Sequence, residues 1–328
     1  MSRFRVFIEG VGKWVNFVDR EVELSQLFDF AERGHPFPIA VYGPEGCGKT
    51  TLLKCFLEEL RDRDYVAIYV DALELQDLNR AMLCTHREVW EIVQSLAGAV
   101  PVGENIAKTI TLLLRKLHEK LSLRGKRLVV ILDDVYRAVG IENAVRYTKL
   151  LYEWISNLHT EFNVKHVLFV LTTSEGLSKR ELYRHTYVHV YMMWNLPKEG
   201  FYELVRQLDV PVDPDVLWRL TGGNPRVLID IATHSWDIDR WLRYVIHRVS
   251  SLVRDLDQDR LRRLAEDPDS DWELAKVLEE RGLMIELNRA HVLGIEPKPD
   301  PELGIGKEWA WQIPAYRNAI AKPNHLKT

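Results

Sequence analysis

Cysteine is rare in this chain of 328 residues: Cys47, Cys55 and Cys84 are the whole set, and no two stand at a metal-ligand spacing. An odd, scattered set argues against a disulfide framework and fits a reducing, cytoplasmic setting. Long apolar runs are missing as well. None reaches the roughly 18 residues a spanning helix needs, so neither a membrane segment nor a membrane partner is expected. The opening MSRFRVFIEGVGKWV has no continuous apolar core and no small-residue cleavage site, so no signal peptide is expected. Strong charge is absent too: 44 Lys and Arg against 48 Asp and Glu leave a net of −4. That balance selects neither for nor against a nucleic-acid or membrane surface, because local patches hide inside a balanced total. There is no internal repeat and no low-complexity tract. Glutamine is scarce beside plentiful Arg and Glu, a composition compatible with a thermophile.

What is there is a globular chain long enough for two or three domains. Four short apolar runs read as strands buried on both faces: PIAVY (Pro38 to Tyr42), YVAIYV (Tyr65 to Val70), RLVVIL (Arg127 to Leu132) and HVLFVL (His166 to Leu171). YVHVYM (Tyr187 to Met192) is a more polar fifth. Strands alternating with helices imply an α/β fold with a parallel sheet. Two helical patterns, Arg87 to Ala97 and Ile106 to Leu123, lengthen the second crossover. After Leu196 the strand pattern stops and three short helices follow, one opened by Pro after GGN. Further helices from Trp241 onward lead to two strand-like pieces, LMIEL and EWAWQIP, around a Pro- and Gly-rich loop. Helices followed by a two-stranded hairpin suggest a winged helix-turn-helix. The expected domains are 1–196, 197–237 and 238–328.

Between the first strand and a helical pattern stands VYGPEGCGKTTLL, with Gly43, Gly48, Lys49 and Thr50 in the spacing G-x-x-x-x-G-K-T. Glycines let successive amides of Pro44–Thr51 turn toward phosphate oxygens, through Glu45, Gly46, Cys47, Gly48 and Thr51 where an N–H exists. The helix beginning near Lys49 adds its positive end. Lys49 supplies a mobile charge and Thr50 a hydroxyl for Mg²⁺. Cys47 reads as loop filler. A Mg²⁺-nucleotide site also needs a carboxylate at a strand end, and LVVILDDV supplies Asp133 as metal ligand and Asp134 to orient the attacking water. Asp134 as a plain loop carboxylate stays open. Thr172, Thr173 and Ser174 end the fourth run; Thr173 is the candidate for the γ-phosphate or the water, with turn chemistry the alternative. In LTGGNPR, Arg226 sits in the first turn of a helix, against the dipole, which points to an anionic partner or to a solvated arginine.

Together these residues resemble archaeal ATPases of the signal-transducing (STAND) branch of AAA-like P-loop NTPases, related to NB-ARC and origin-recognition ATPases. The likeness runs from about Phe17 to the C-terminus. FVDREVEL resembles the family's box ahead of the P-loop, which implies Val18 and Arg20 beside adenine and ribose. GGNPR resembles the glycine-x-proline motif, which implies Pro225 at the base and Arg226 as a phosphate sensor. The resemblance also implies a P-loop NTPase sheet of order 5-1-4-3-2, a helical lid and a C-terminal winged helix. The cofactors it implies are ATP or ADP with Mg²⁺, and the partners are a homo-oligomer formed on ATP binding and duplex DNA at the winged helix. Asp-Asp stands here where many AAA-like ATPases have Asp-Glu, which implies slow hydrolysis. Arg180 and Arg184 are candidates for an arginine finger, with solvated arginines the alternative. Guanine recognition is not expected, since no Asn-Lys-x-Asp motif occurs.

The leading expectation is therefore an ATP-driven switch that relays its state through Pro225 and Arg226 to the C-terminal domain. An origin-recognition-like DNA reader is the alternative, opposed by the acidic EDPDSDWE and the slight acidic excess after Asp237. Arg240, Arg243 and Arg248 fall on one helical face there. A scaffold that holds nucleotide with little turnover is the third.

Overall fold

The computed structural model describes residues 4–61, 63–74, 77–97, 106–121, 123–173 and 176–321. Its elements begin with β1 (Arg5–Ile8), β2 (Lys13–Asn16), α1 (Glu21–Arg33), β3 (Ile39–Tyr42) and α2 (Lys49–Leu60). Next come β4 (Tyr65–Asp71), α3 (Leu78–Ala81), β5 (Met82–Cys84), α4 (Arg87–Ala97) and α5 (Ile106–Leu121). Then follow β6 (Arg127–Asp133), α6 (Val135–Val139), α7 (Ile141–Thr160), β7 (His166–Thr172), α8 (Gly176–Tyr183) and β8 (His189–Met192). The remainder is α9 (Lys198–Leu208), α10 (Pro214–Thr221), α11 (Pro225–Thr233), α12 (Ile238–Val253), α13 (Gln258–Glu266), α14 (Trp272–Glu280), β9 (Met284–Glu286), β10 (Trp309–Trp311) and α15 (Pro314–Ala321). Two compact units form. A sheet unit holds Glu23–Tyr42 and Lys49–Tyr191; a helical unit holds Met1–Val22, Gly43–Gly48 and Met192–Thr328.

In the sheet unit the strand order is β5-β4-β6-β7-β3-β8. The five strands read from the sequence thus lie in the order 5-1-4-3-2, as the resemblance implied. Ile39, Ala67, Val129, Ile131, Val167 and Phe169 are fully buried. Cover on both faces is why these strands lack alternation. β4 pairs in parallel with β6 from Tyr65 opposite Arg127 to Asp71 opposite Asp133. Parallel pairing continues from β6 to β7 and from β7 to β3. This register brings the polar ends of β4 and β6 level, which positions the acidic residues described below. β5 was not anticipated: it spans three residues, pairs antiparallel with β4, and offers no run to read. The two helical patterns of the long crossover are α4 and α5.

The helical unit owes its sharp helix starts to polar caps. Asp213, Asn224, Asp237, Asp257 and Asp271 each accept a hydrogen bond from an amide in the first turn of α10 to α14. Each such cap is worth about 1 kcal/mol. Phe201, Leu228, Trp241, Leu261, Leu278 and Trp311 belong to the shared core of this unit. β9 and β10 pair antiparallel, Met284 opposite Trp311, after the helices α12 to α14. The hairpin β1–β2 and the helix α15 are additions to the sequence reading. No helix among the described residues is long and apolar enough to cross a membrane.

Candidate functional site

In the sheet unit, α2 opens with Lys49, Thr50 and Thr51, and Lys49 is buried. Asp133 closes β6 with 3% exposure. Burial of a carboxylate is costly unless it is hydrogen-bonded, and Asp133 is. Its Oδ1 accepts from the Thr172 hydroxyl at 2.5 Å and its Oδ2 from the Tyr69 hydroxyl at 2.7 Å. The Thr172 hydroxyl in turn accepts from the Asp134 amide at 2.8 Å. The strand-end hydroxyl that meets Asp133 is thus that of Thr172. Thr173, one residue on, is buried and donates its amide to Val41. Ser174 lies outside the described residues.

Asp134 adopts a left-handed conformation, φ 51°, ahead of α6. Its carboxyl is raised above the ordinary value, first by burial, then by the Asp133 charge, with Lys49 opposing and Asp71 adding. Tyr69 is raised as well, mainly by burial and then by Asp133, so it stays a donor. Among the described residues no group of three or more His, Cys, Asp or Glu could hold a metal ion alone. One carboxylate and one hydroxyl, Asp133 and Thr50, are nevertheless a fitting all-oxygen set for Mg²⁺, which keeps several waters and takes the rest from phosphate.

In the helical unit the loop Gly43–Gly48 has Gly46 at φ 81° and Gly48 at φ 102°, conformations that L side chains rarely adopt. A Cβ on Gly46 would also lie 2.4 Å from the Arg226 Cβ. The loop is held along its length, and the Arg226 amide donates to the Gly46 carbonyl at 3.4 Å. Near its end, the buried Arg20 guanidinium donates to the Cys47 carbonyl at 2.8 Å and to the Trp194 carbonyl at 3.0 Å. Cys47 is fully buried there. Val18 packs partly buried against the core of this unit. At the tip, every polar group of Glu45 is engaged. Its amide donates to Gln312 Oε1 at 2.9 Å, its carbonyl accepts from Asn224 Nδ2 at 2.9 Å, and its carboxylate meets Arg226 at 2.7 Å. Pro225 and Arg226 open α11 directly after the cap Asn224.

Magnitudes separate these contacts. More than half of each side chain of the Arg226–Glu45 pair is exposed, so it contributes at most about 1 kcal/mol. Asn224 and Asn195 are buried and bonded to each other at 2.9 Å; such groups are expensive to leave unpaired. Sequence reading missed Tyr69, Asn195, Asn224 and Gln312 as site residues. For Gln312 the one signal was a lone amide in the apolar run WAWQIP. Of the arginine-finger candidates, Arg184 forms an exposed pair with Glu181, and Arg180 is half-buried on α8. Arg240, Arg243 and Arg248 are exposed.

Residues 17–231 match the model of an ATPase domain family found predominantly in Archaea. The chain is 24% identical to an uncharacterized ATP-binding protein of Pyrococcus horikoshii, over 69% of this chain and 77% of that one. It is 21% identical to an uncharacterized ATP-binding protein of Methanocaldococcus jannaschii, over 66% and 70%. Among solved structures it is similar to the Aeropyrum pernix ORC2 protein in its ADPNP–ADP complexes. The TM-score there is 0.43 at 15% identity, over 86% of this chain and 81% of that one.

Proposed function

Because this chain belongs to that mainly archaeal family of ATPase domains, we propose that it is a slow, Mg²⁺-dependent ATP-hydrolysing switch. Its nucleotide state is relayed to a winged helix within residues 238–328. The observation that carries this reading is the loop itself. Gly46 and Gly48 sit at positive φ after a fully buried strand, and the chain passes at once into Lys49 and Thr50 of α2. That is the backbone a phosphate cradle needs.

In this reading the amides of residues 45–51 and the Lys49 ammonium receive the phosphates. Asp133 and Thr50 would hold Mg²⁺, whose charge would stabilise that developing on the transferred phosphoryl oxygens. Thr172 and Tyr69 keep the Asp133 carboxylate oriented through their hydroxyls. Asp134, half-buried with a raised pKa, takes the proton of the attacking water. Its short side chain, where glutamate would reach further, supports slow turnover. Thr173 and Arg226 respond to the terminal phosphate; Val18, Arg20 and Pro225 serve the base side. The ATP-binding relatives support an adenine nucleotide.

The test begins with the nucleotide released from denatured protein, followed by phosphate release with and without duplex DNA. ATP or ADP in the extract, with release that disappears in Lys49→Ala, is the expected result. Absence of any bound or bindable nucleotide overturns the reading. Tight ADP retention without turnover replaces the switch with a nucleotide-holding scaffold.

A further inference from the structure

Gln312 follows β10 and has 8% exposure. Its four polar bonds run in different directions. The side-chain oxygen accepts from the Glu45 amide, and Nε2 donates to the Met284 carbonyl in β9 at 3.4 Å. Its backbone amide donates to Leu283, and its carbonyl accepts from Asn195 Nδ2 at 3.1 Å. Asn195 Oδ1 accepts from Asn224 Nδ2, and the same nitrogen donates to the Glu45 carbonyl. Three buried amides, Asn195, Asn224 and Gln312, therefore close a ring of bonds onto both backbone groups of one loop residue.

We propose that Gln312 is a positioning residue for the phosphate-binding loop, fixing the Glu45 amide and tying it to the β9–β10 hairpin. The proposal rests on the nucleotide reading above and names the contact through which loop and hairpin would influence each other. Its physical basis is the cost of the alternative. If the loop tip shifts, a buried acceptor on Gln312 and a buried donor on Asn224 lose their partners together. The tip is thereby confined to one geometry, with Gly46 and Gly48 already in their positive-φ conformations. A loop set in advance binds anions without the entropy of being ordered.

Two variants of the full chain test this. Gln312→Met keeps length and bulk and removes the acceptor. Gln312→Glu keeps an acceptor for Glu45 and removes the donor toward Met284. Hydrogen exchange at the Glu45 amide and the Kd of Mg·ATP are measured for both. Gln312→Met should speed exchange at Glu45 about ten-fold and raise the Kd about ten-fold, while Gln312→Glu stays within about three-fold on both. Unchanged exchange at Glu45 in Gln312→Met overturns the proposal. So does acceleration spread evenly through residues 238–321, because that marks a merely structural role. If the wild-type chain binds no nucleotide, the functional reading falls, and the exchange at Glu45 still decides the tie.

Discussion

In the sheet unit Asp133 meets Thr172 across 39 residues and Tyr69 across 64; in the helical unit Glu45 meets Asn224 across 179 and Gln312 across 267. The first cluster stands at the ends of neighbouring parallel strands, so sheet register alone assembles it. The second is assembled only when α11 and the segment after β10 pack into one core. The chemistry assigned to the first is charge; what the second supplies is position. A variant of one should therefore leave the other's property nearly untouched, and that is the comparison to break.

The largest effect is expected from Asp133→Asn. Removing the carboxylate that would hold the metal should lower phosphate release about 100-fold or more. The Glu45 ties contain no part of Asp133. Nucleotide affinity measured without metal should accordingly stay within a few-fold of wild type. A variant that keeps its turnover removes Asp133 from the mechanism.

Asn224→Leu should do the reverse. Asn224, itself fully buried, caps α11 through Val227 and donates to Glu45 and Asn195. Loss of a cap and of two further bonds from a buried amide should lower unfolding stability by about 2–4 kcal/mol, read from urea unfolding. A change under about 0.5 kcal/mol, the size of an ordinary surface substitution, would mean the amide ring holds nothing.

The same contrast explains what could be read in advance. Asp133 announces itself because it follows four apolar strand residues, with Asp134 next to it, and GPEGCGKT because glycines and lysine at that spacing have few other uses. The strand order came with the resemblance, and parallel pairing of buried runs agrees with it. Thr173 is the residue singled out from the sequence, whereas Thr172 meets Asp133, because that choice depends on which hydroxyl faces β6 at a strand end. Arg20 was read toward the base, whereas its guanidinium also reaches the Cys47 and Trp194 carbonyls, which no local spacing encodes. Asn195 and Gln312 stand in no motif, and Asn224 is the variable position of GGNPR, because an amide's partners are fixed by tertiary packing. β5, three residues long at a sheet edge, has too little pattern to show.

Asp134 sharpens the comparison through pH. Its folded pKa is raised, chiefly by burial and then by Asp133. A carboxylate raised on folding costs stability above its folded pKa, and that cost disappears as pH falls to its ordinary value, 3.8. Asp134→Asn should therefore stabilise the chain at neutral pH, lose the advantage in acid, and still slow phosphate release. Thermal melts from pH 7 to pH 3 check the sign. An advantage that grows in acid would reverse the assignment.

The smallest effect is expected far from either cluster, at Asp255. Arg281 grips it bidentately, at 2.6 and 2.7 Å, and also donates to the Leu252 carbonyl. The hydrogen bonds from Arg281 hold the Asp255 pKa down to about 2. A carboxylate lowered on folding contributes stability at neutral pH, and that contribution fades as pH falls from the ordinary 3.8 toward about 2. The pair is open to solvent and screened by salt, so its contribution is slight. Asp255→Asn should cost a little stability at pH 7 in low salt, nothing near pH 2, and leave both turnover and exchange at Glu45 unchanged. A loss of turnover in Asp255→Asn would show that the turn between α12 and α13 reaches the loop by a route other than Gln312, and the division of labour between the two clusters would have to be redrawn.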